Sequence, residues 1–233
     1  MRPEDVYFSD RADAGRHLAR LLQPYAGAGE SLVLALPRGG VPVAYEVARA
    51  LDIELDVFLV RKLGVPGHEE LAMGAIASGG VRILNESVVQ ALRIPASTID
   101  AVATAERDTL DRRERFYRGD SPRPAVRERI VILVDDGLAT GASMRAALEA
   151  LGRQEPKRLI AAVPVAPAET CEELRAEADE VVCAATPEAL QGVSQWYRDF
   201  SQTTDEEVRE LLTRIAHRPE RKSARDAGAP GAH

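Results

Sequence analysis

Short unbroken aliphatic runs and longer stretches with an apolar residue every three or four positions alternate along this chain. The runs Ser31 to Leu36, Leu55 to Val60, Ile130 to Val134, Arg158 to Val165 and Glu180 to Ala184 predict five strands buried on both faces, as in a parallel sheet. Between them, Val43 to Leu51, Met144 to Leu151 and Ala168 to Ala178 predict helices. Strand, helix and strand in that order imply right-handed crossovers and an α/β fold of Rossmann-like type. Asp10 to Tyr25 predicts a first helix, capped by Asp10, with Ala14, Leu18, Leu21 and Leu22 on its apolar face. Between the second and third runs the pattern changes. Ala72 to Leu84, interrupted by Gly79-Gly80, predicts a hairpin flap, with His68, Glu69 and Glu70 beside it as lid residues. A long helix from near Ser97 to Arg118 follows, with Ile99, Val102, Leu110 and Tyr117 as an incomplete apolar stripe. Its mixed charges predict mainly a solvated face; the sharper alternative sends Arg112, Arg113 or Arg118 to a ligand.

This patterning divides the chain into a first helix and hood part over 1–30 and a core over 31–200. Flap and long helix form an insertion at 63–128, and a last helix covers 201–216, starting at Thr204 or Asp205. Residues 217–233 are rich in Ala, Gly, Pro and charge, the composition of a disordered tail.

The chemistry gathers where the runs end. After Ile130 to Val134 come Asp135 and Asp136, then Gly137-Leu-Ala-Thr-Gly-Ala-Ser143, then strong helix formers. Free backbone N–H groups at a helix start suit a phosphate, and the Thr140 and Ser143 hydroxyls add donors. The two acids would repel that phosphate and suit ribose hydroxyls or Mg²⁺ instead. No Lys follows Gly141, so the loop is not that of a nucleoside triphosphatase, and Gly27-Ala-Gly29 precedes its strand and lacks the third glycine of a dinucleotide site. Pro37-Arg38-Gly39-Gly40 follows the first run, where open α/β sheets bind ligands; its glycines admit an anion closely and Arg38 adds charge. Arg61-Lys62, at the end of the second run, is a further cationic pair, read either as an anion site or as surface charge.

Composition narrows the partners. The 233 residues, 45% of them hydrophobic, suffice for one domain with appendages. No apolar run approaches the length of a membrane span and no signal peptide is recognisable, so a soluble, cytoplasmic protein without a membrane partner is expected. A net charge of −7 argues against nucleic acid as main partner. Cys171 and Cys183 lack metal-like spacing and are read as small core or surface residues in a reducing compartment.

Val134-Asp-Asp-Gly-Leu-Ala-Thr-Gly-Ala-Ser143 closely resembles the phosphoribosyl-pyrophosphate (PRPP) motif of type I phosphoribosyltransferases, most of all those of poorly characterised stand-alone bacterial members. The resemblance spans roughly Ser31 to Phe200. It implies the fold of that family, with about five parallel strands, a mobile flap and a hood. It also implies that Asp135 and Asp136 bind the ribose hydroxyls, with Mg²⁺ held there partly through the substrate. Ala139, Thr140, Gly141, Ala142 and Ser143 would wrap the 5′-phosphate. Arg38, Gly39 and Gly40 resemble the pyrophosphate loop, with its unusual backbone geometry, and Arg38, Arg61 and Lys62 would stabilise the leaving group. Trp196 or Tyr197 would stack on the acceptor in the hood, with plain core packing as the alternative. Enzymes acting on 6-oxopurines carry Asp where this chain has Ala139, which argues against hypoxanthine or guanine. The implied activity is transfer of 5-phosphoribosyl to a nitrogenous base; a homodimer is the assembly considered for the chain. Two alternatives stay open: a PRPP- or nucleotide-binding regulator without turnover, and a phosphohydrolase of PRPP-like sugars.

Overall fold

The five aliphatic runs pair side by side. In the computed structural model, which describes residues 7–217 apart from Ala28, Asp120 and Ala189, helix α1 (Arg11–Leu21) starts at its Asp10 cap, whose carboxylate accepts from the Asp13 N–H at 2.7 Å. Strand β1 (Ser31–Ala35), helix α2 (Gly40–Leu51) and strand β2 (Glu54–Val57) form the first βαβ unit. Strands β3 (Val60–Val65), β4 (His68–Ala77) and β5 (Val81–Leu84) come next, then helices α3 (Glu86–Ala91) and α4 (Ala96–Arg118). The second half runs β6 (Ile130–Val134), α5 (Ala142–Gly152), β7 (Arg158–Val165), α6 (Ala168–Leu174), β8 (Glu180–Ala185) and α7 (Asp205–Ala216).

The parallel sheet has the order β2-β1-β6-β7-β8. Both faces are covered. Val33, Ala35, Ile132 and Val134 look toward α1, α2 and α7, while Leu32, Leu34, Val131 and Leu133 look toward α5. This two-sided burial explains why the strands read as continuous aliphatic runs. Because β1 and β6 are neighbours in register from Ser31↔Ile130 to Ala35↔Val134, the two loops that leave them emerge side by side.

The flap region departs from expectation in three respects. The second run stops being parallel sheet at Val57, and Arg61 and Lys62 are the second and third residues of β3, not the end of β2. The hairpin is longer than Ala72 to Leu84: β3, β4 and β5 make a three-stranded antiparallel sheet. Its bulges, between Leu63 and Val65, break the alternation that would have revealed β3 in the sequence. Helix α3 is an added element, capped by the Asn85 side chain.

Two further differences concern pairing. Cys171 on α6 and Cys183 on β8 form a disulfide, where separate thiols are read from the sequence. Packing of α6 over β8 brings them together, and sequence spacing does not encode that. The long helix α4 has the expected extent, but Arg118 goes to no ligand site: it pairs with Asp56 at 2.7 Å and Glu114 at 3.2 Å and donates to the Val57 carbonyl. Most of the expected tail, from Arg218 on, lies outside the described residues. No helix among the described residues is long and apolar enough to cross a membrane.

Candidate active site

The acid pair sits where β6 ends. Asp135 Oδ1 accepts from the Asp136 N–H at 2.8 Å, which folds the first carboxylate back over the second residue's backbone. Burial, and next the neighbouring Asp136 carboxylate, push Asp135 well above the usual carboxylate range. Asp136 takes a different partner: Arg11 Nε donates to its Oδ2 at 2.8 Å.

The small-residue loop then turns into α5. Gly141 adopts a left-handed conformation (φ 68°) as the N-cap, with no side chain capping the helix, so the N–H groups of the first turn face outward. Ala139, Thr140, Ala142 and Ser143 are exposed around it, and Gly141 is buried. The outer wall is α6: Thr170 Oγ1 donates to the Ala139 carbonyl at 3.3 Å, and Arg145 links the Thr140 carbonyl to Glu173, both at 3.1 Å. A bare helix start with two hydroxyls nearby has the chemistry to receive an anion.

The second loop faces the first. The Leu36 N–H donates to the Val134 carbonyl at 2.9 Å, so the glycine loop leaves β1 against the end of β6. A Cβ on Gly39 would overlap Asp136 Oδ2, and one on Gly40 would come within 2.8 Å of the Val134 carbonyl and 2.9 Å of Asp135 Cα. Only glycines let these two loops lie so close. The Pro37–Arg38 peptide bond is cis. Among the described residues Arg38 has no ion-pair partner, and it lies near the Tyr117 phenol, which burial and then its hydrogen bond to Asp205 push up despite the Arg113 and Arg38 charges.

The other expected cations are engaged. Arg61 pairs with Glu106 of α4, and Lys62 lies 3.4 Å from the Glu70 carboxylate, on the exposed flap. Glu106, which the sequence assigns to a solvated face, is thus a partner of Arg61. His68 and Glu69 are exposed near the tip of the β3–β4 hairpin.

The hood is made from both ends of the chain. The Phe8 N–H donates to the Trp196 carbonyl at 3.0 Å and the Arg198 N–H to the Phe8 carbonyl at 2.9 Å. Tyr197 is buried between Phe8 and Phe200, and its hydroxyl donates to the Asp136 carbonyl at 2.6 Å. That ring serves the packing of the hood. Trp196 is half-buried and stacks on Tyr7, centroids 5.9 Å apart and planes 19° from parallel.

Among the described residues no group of three or more His, Cys, Asp or Glu side chains is placed to hold a metal ion. Asp135 and Asp136 supply two carboxylates, one already paired with Arg11. That donor set does not make a resident metal cage. It suits a divalent ion that arrives on a polyphosphate and uses one or two carboxylates.

Comparison with known proteins identifies the family. A sequence-family model described as the phosphoribosyl transferase domain matches residues 9–197. Two Mycobacterium tuberculosis sequences (strains CDC 1551 / Oshkosh and H37Rv), each named "Putative phosphoribosyl transferase", are 48% identical over 212 residues, which is 91% of this chain. The chain spans 47%, about half, of the length of these curated relatives. The crystal structure of TT1426 from Thermus thermophilus superposes with a TM-score of 0.78 at 45% identity, covering 92% of this chain and 99% of that one.

Proposed function

The chain belongs to the phosphoribosyl transferase family, and from that premise we propose that it transfers the 5-phosphoribosyl group of PRPP to a nitrogen nucleophile with release of pyrophosphate. The observation that carries this reading is the meeting of the acid pair, the bare start of α5 and the Arg38-Gly39-Gly40 loop at one end of the parallel sheet. Two anion-suited loops and a diol-suited acid pair correspond in kind to the three parts of PRPP.

The division of work follows from charge. The outward N–H groups around Ala142 and Ser143, with the Thr140 and Ser143 hydroxyls, receive the 5′-phosphate, which does not react. Asp135 and Asp136 accept from the ribose 2′- and 3′-hydroxyls and so fix the sugar ring. Arg38 and the amide of Gly39 face the pyrophosphate, while the Gly40 N–H, which donates to the Leu36 carbonyl at 3.1 Å, holds the loop's turn. The bond between C1 and the pyrophosphate oxygen breaks, that oxygen keeps the electron pair, the acceptor nitrogen's lone pair bonds to C1 from the opposite face, and the proton that nitrogen carried passes to solvent. Asp135 and Asp136 would be the residues to meet a Mg²⁺ ion carried by the substrate, where it would supply charge neutralisation for the pyrophosphate. The residues' contribution is then positioning and stabilisation of the departing polyanion. Arg61 joins Arg38 in that role when released from Glu106, and Lys62 is the cation beside it on β3.

The acceptor lies under the hood formed by Phe8, Tyr197 and Phe200, with Trp196 at its rim. Ala139 in place of an acidic residue disfavours 6-oxopurines. Calorimetric titration of the chain with Mg–PRPP, and competition by ribose 5-phosphate, test the reading. One site per chain, with ribose 5-phosphate competing, supports it; no detectable binding rules it out.

A further inference from the structure

Arg11 is the first residue of α1, far outside the acid-pair motif, yet its guanidinium lies inside the site. Nε donates to Asp136 Oδ2 at 2.8 Å, and another nitrogen donates to the Ser201 carbonyl at 2.6 Å. The guanidinium carbon stacks 3.9 Å from the centroid of the Phe200 ring. The pair is enclosed, with Arg11 and Asp136 side chains 12% and 16% exposed. Both partners lie against the glycine loop: a Cβ on Gly39 would overlap the Asp136 carboxylate and come within 3.2 Å of Arg11 Nε.

This geometry does two things to Asp136. The fork and ring contacts hold the guanidinium from three sides, so the carboxylate it binds has one orientation. Arg11 uses only Oδ2, and among the described residues Oδ1 has no hydrogen-bond partner. One charged oxygen is thereby fixed and the other left for a hydroxyl. We propose that Arg11 is a positioning residue of the ribose site, presenting Asp136 to one ribose hydroxyl from a helix outside the motif. The proposal rests on the PRPP reading given above. The bland alternative is an ion pair that merely fastens the hood to the core. An ion pair of that kind would not need the carboxylate that faces the glycine loop.

A double-mutant cycle separates the two. Affinity for Mg–PRPP is measured by calorimetry for the unaltered chain, Arg11→Ala, Asp136→Asn and the double variant, with thermal melts alongside. Arg11→Ala is expected to weaken binding by about tenfold or more, the scale of one charge-assisted hydrogen bond. In the Asp136→Asn background the same change is expected to cost less than about twofold, because Arg11 acts through Asp136. Arg11→Lys keeps the charge but loses the fork, and is expected to recover part of the loss that Arg11→Gln shows. That second pair decides the matter if Arg11→Ala fails to fold. Equal binding by Arg11→Ala and the unaltered chain, equal loss in both backgrounds, or equal binding by the Lys and Gln variants overturns the proposal. If the unaltered chain binds no PRPP, the functional reading fails. If it binds and the Arg11 variants match it, only the role of Arg11 falls.

Discussion

The Tyr197 hydroxyl donates to the carbonyl oxygen of Asp136 at 2.6 Å, so the hood is fastened to the backbone of the acid pair itself. Because Tyr197 also packs on Phe8 and Phe200, this one side chain couples the two chain ends to the site. Tyr197→Phe keeps the ring contacts and removes the bond. Urea denaturation should show a loss of about 0.5–1.5 kcal/mol. An unchanged midpoint would mean that the hydroxyl is replaced by solvent at no cost.

Gly39 tests the close contact between the two loops. Its backbone is ordinary, near α-helical (φ −60°, ψ −32°), so Ala there brings no backbone strain. The new methyl group meets the Asp136 carboxylate instead. Gly39→Ala should therefore displace that carboxylate from Arg11, lowering the melting temperature and weakening PRPP binding by at least about tenfold, since a charge-assisted bond is lost. Undiminished PRPP affinity would show that Asp136 is not used.

Asp135 sets stability against function. Its pKa is raised by burial and by Asp136, so the folded chain holds that proton more tightly than the unfolded chain. The group therefore favours folding fully below the ordinary carboxylate pKa of about 3.9, and this contribution is lost as pH rises through the raised value. Asp135→Asn removes a carboxyl that is costly to ionise in this site while keeping an oxygen for the Asp136 N–H. Its melting temperature should rise, by roughly 2–4 °C for each kcal/mol gained, and the advantage should vanish in acid. PRPP affinity should fall. A lower melting temperature at neutral pH would contradict the sign argued here.

Arg118 is a structural counterpart to the site arginines. It is enclosed with Asp56 and Glu114, all three side chains at most 10% exposed. Arg118→Met leaves two buried carboxylates sharing only Arg123, Ser78 and backbone donors. Loss of one partner of a buried pair costs about 3–5 kcal/mol, which denaturant titration would detect. A cost below about 1 kcal/mol would place these charges in contact with water.

What the sequence made legible was whatever is local. Ile130 to Val134 reads as a buried strand because both its faces are covered, and the loops after β1 and β6 are visible because glycines and acids follow those runs directly. The reach of Arg11 to a carboxylate 125 positions away leaves no local trace, since an Arg on the first turn of a helix looks solvated. Glu106 is hidden in the same way among the mixed charges of α4. Tyr197 reads equally well as a stacking or a packing residue, and only its neighbours Phe8 and Phe200 decide for packing. The cysteine pair depends on how α6 lies over β8, which no spacing rule supplies.

Pyrophosphate release tests the central claim most directly. The chain is incubated with Mg–PRPP and a panel of nitrogenous acceptors, and free pyrophosphate and the phosphoribosyl product are both quantified. The account predicts release that depends on one class of acceptor, equal in amount to the product formed, and absent from the Asp135→Asn/Asp136→Asn variant. Release without any acceptor, or tight PRPP binding with no release under any acceptor, would contradict it.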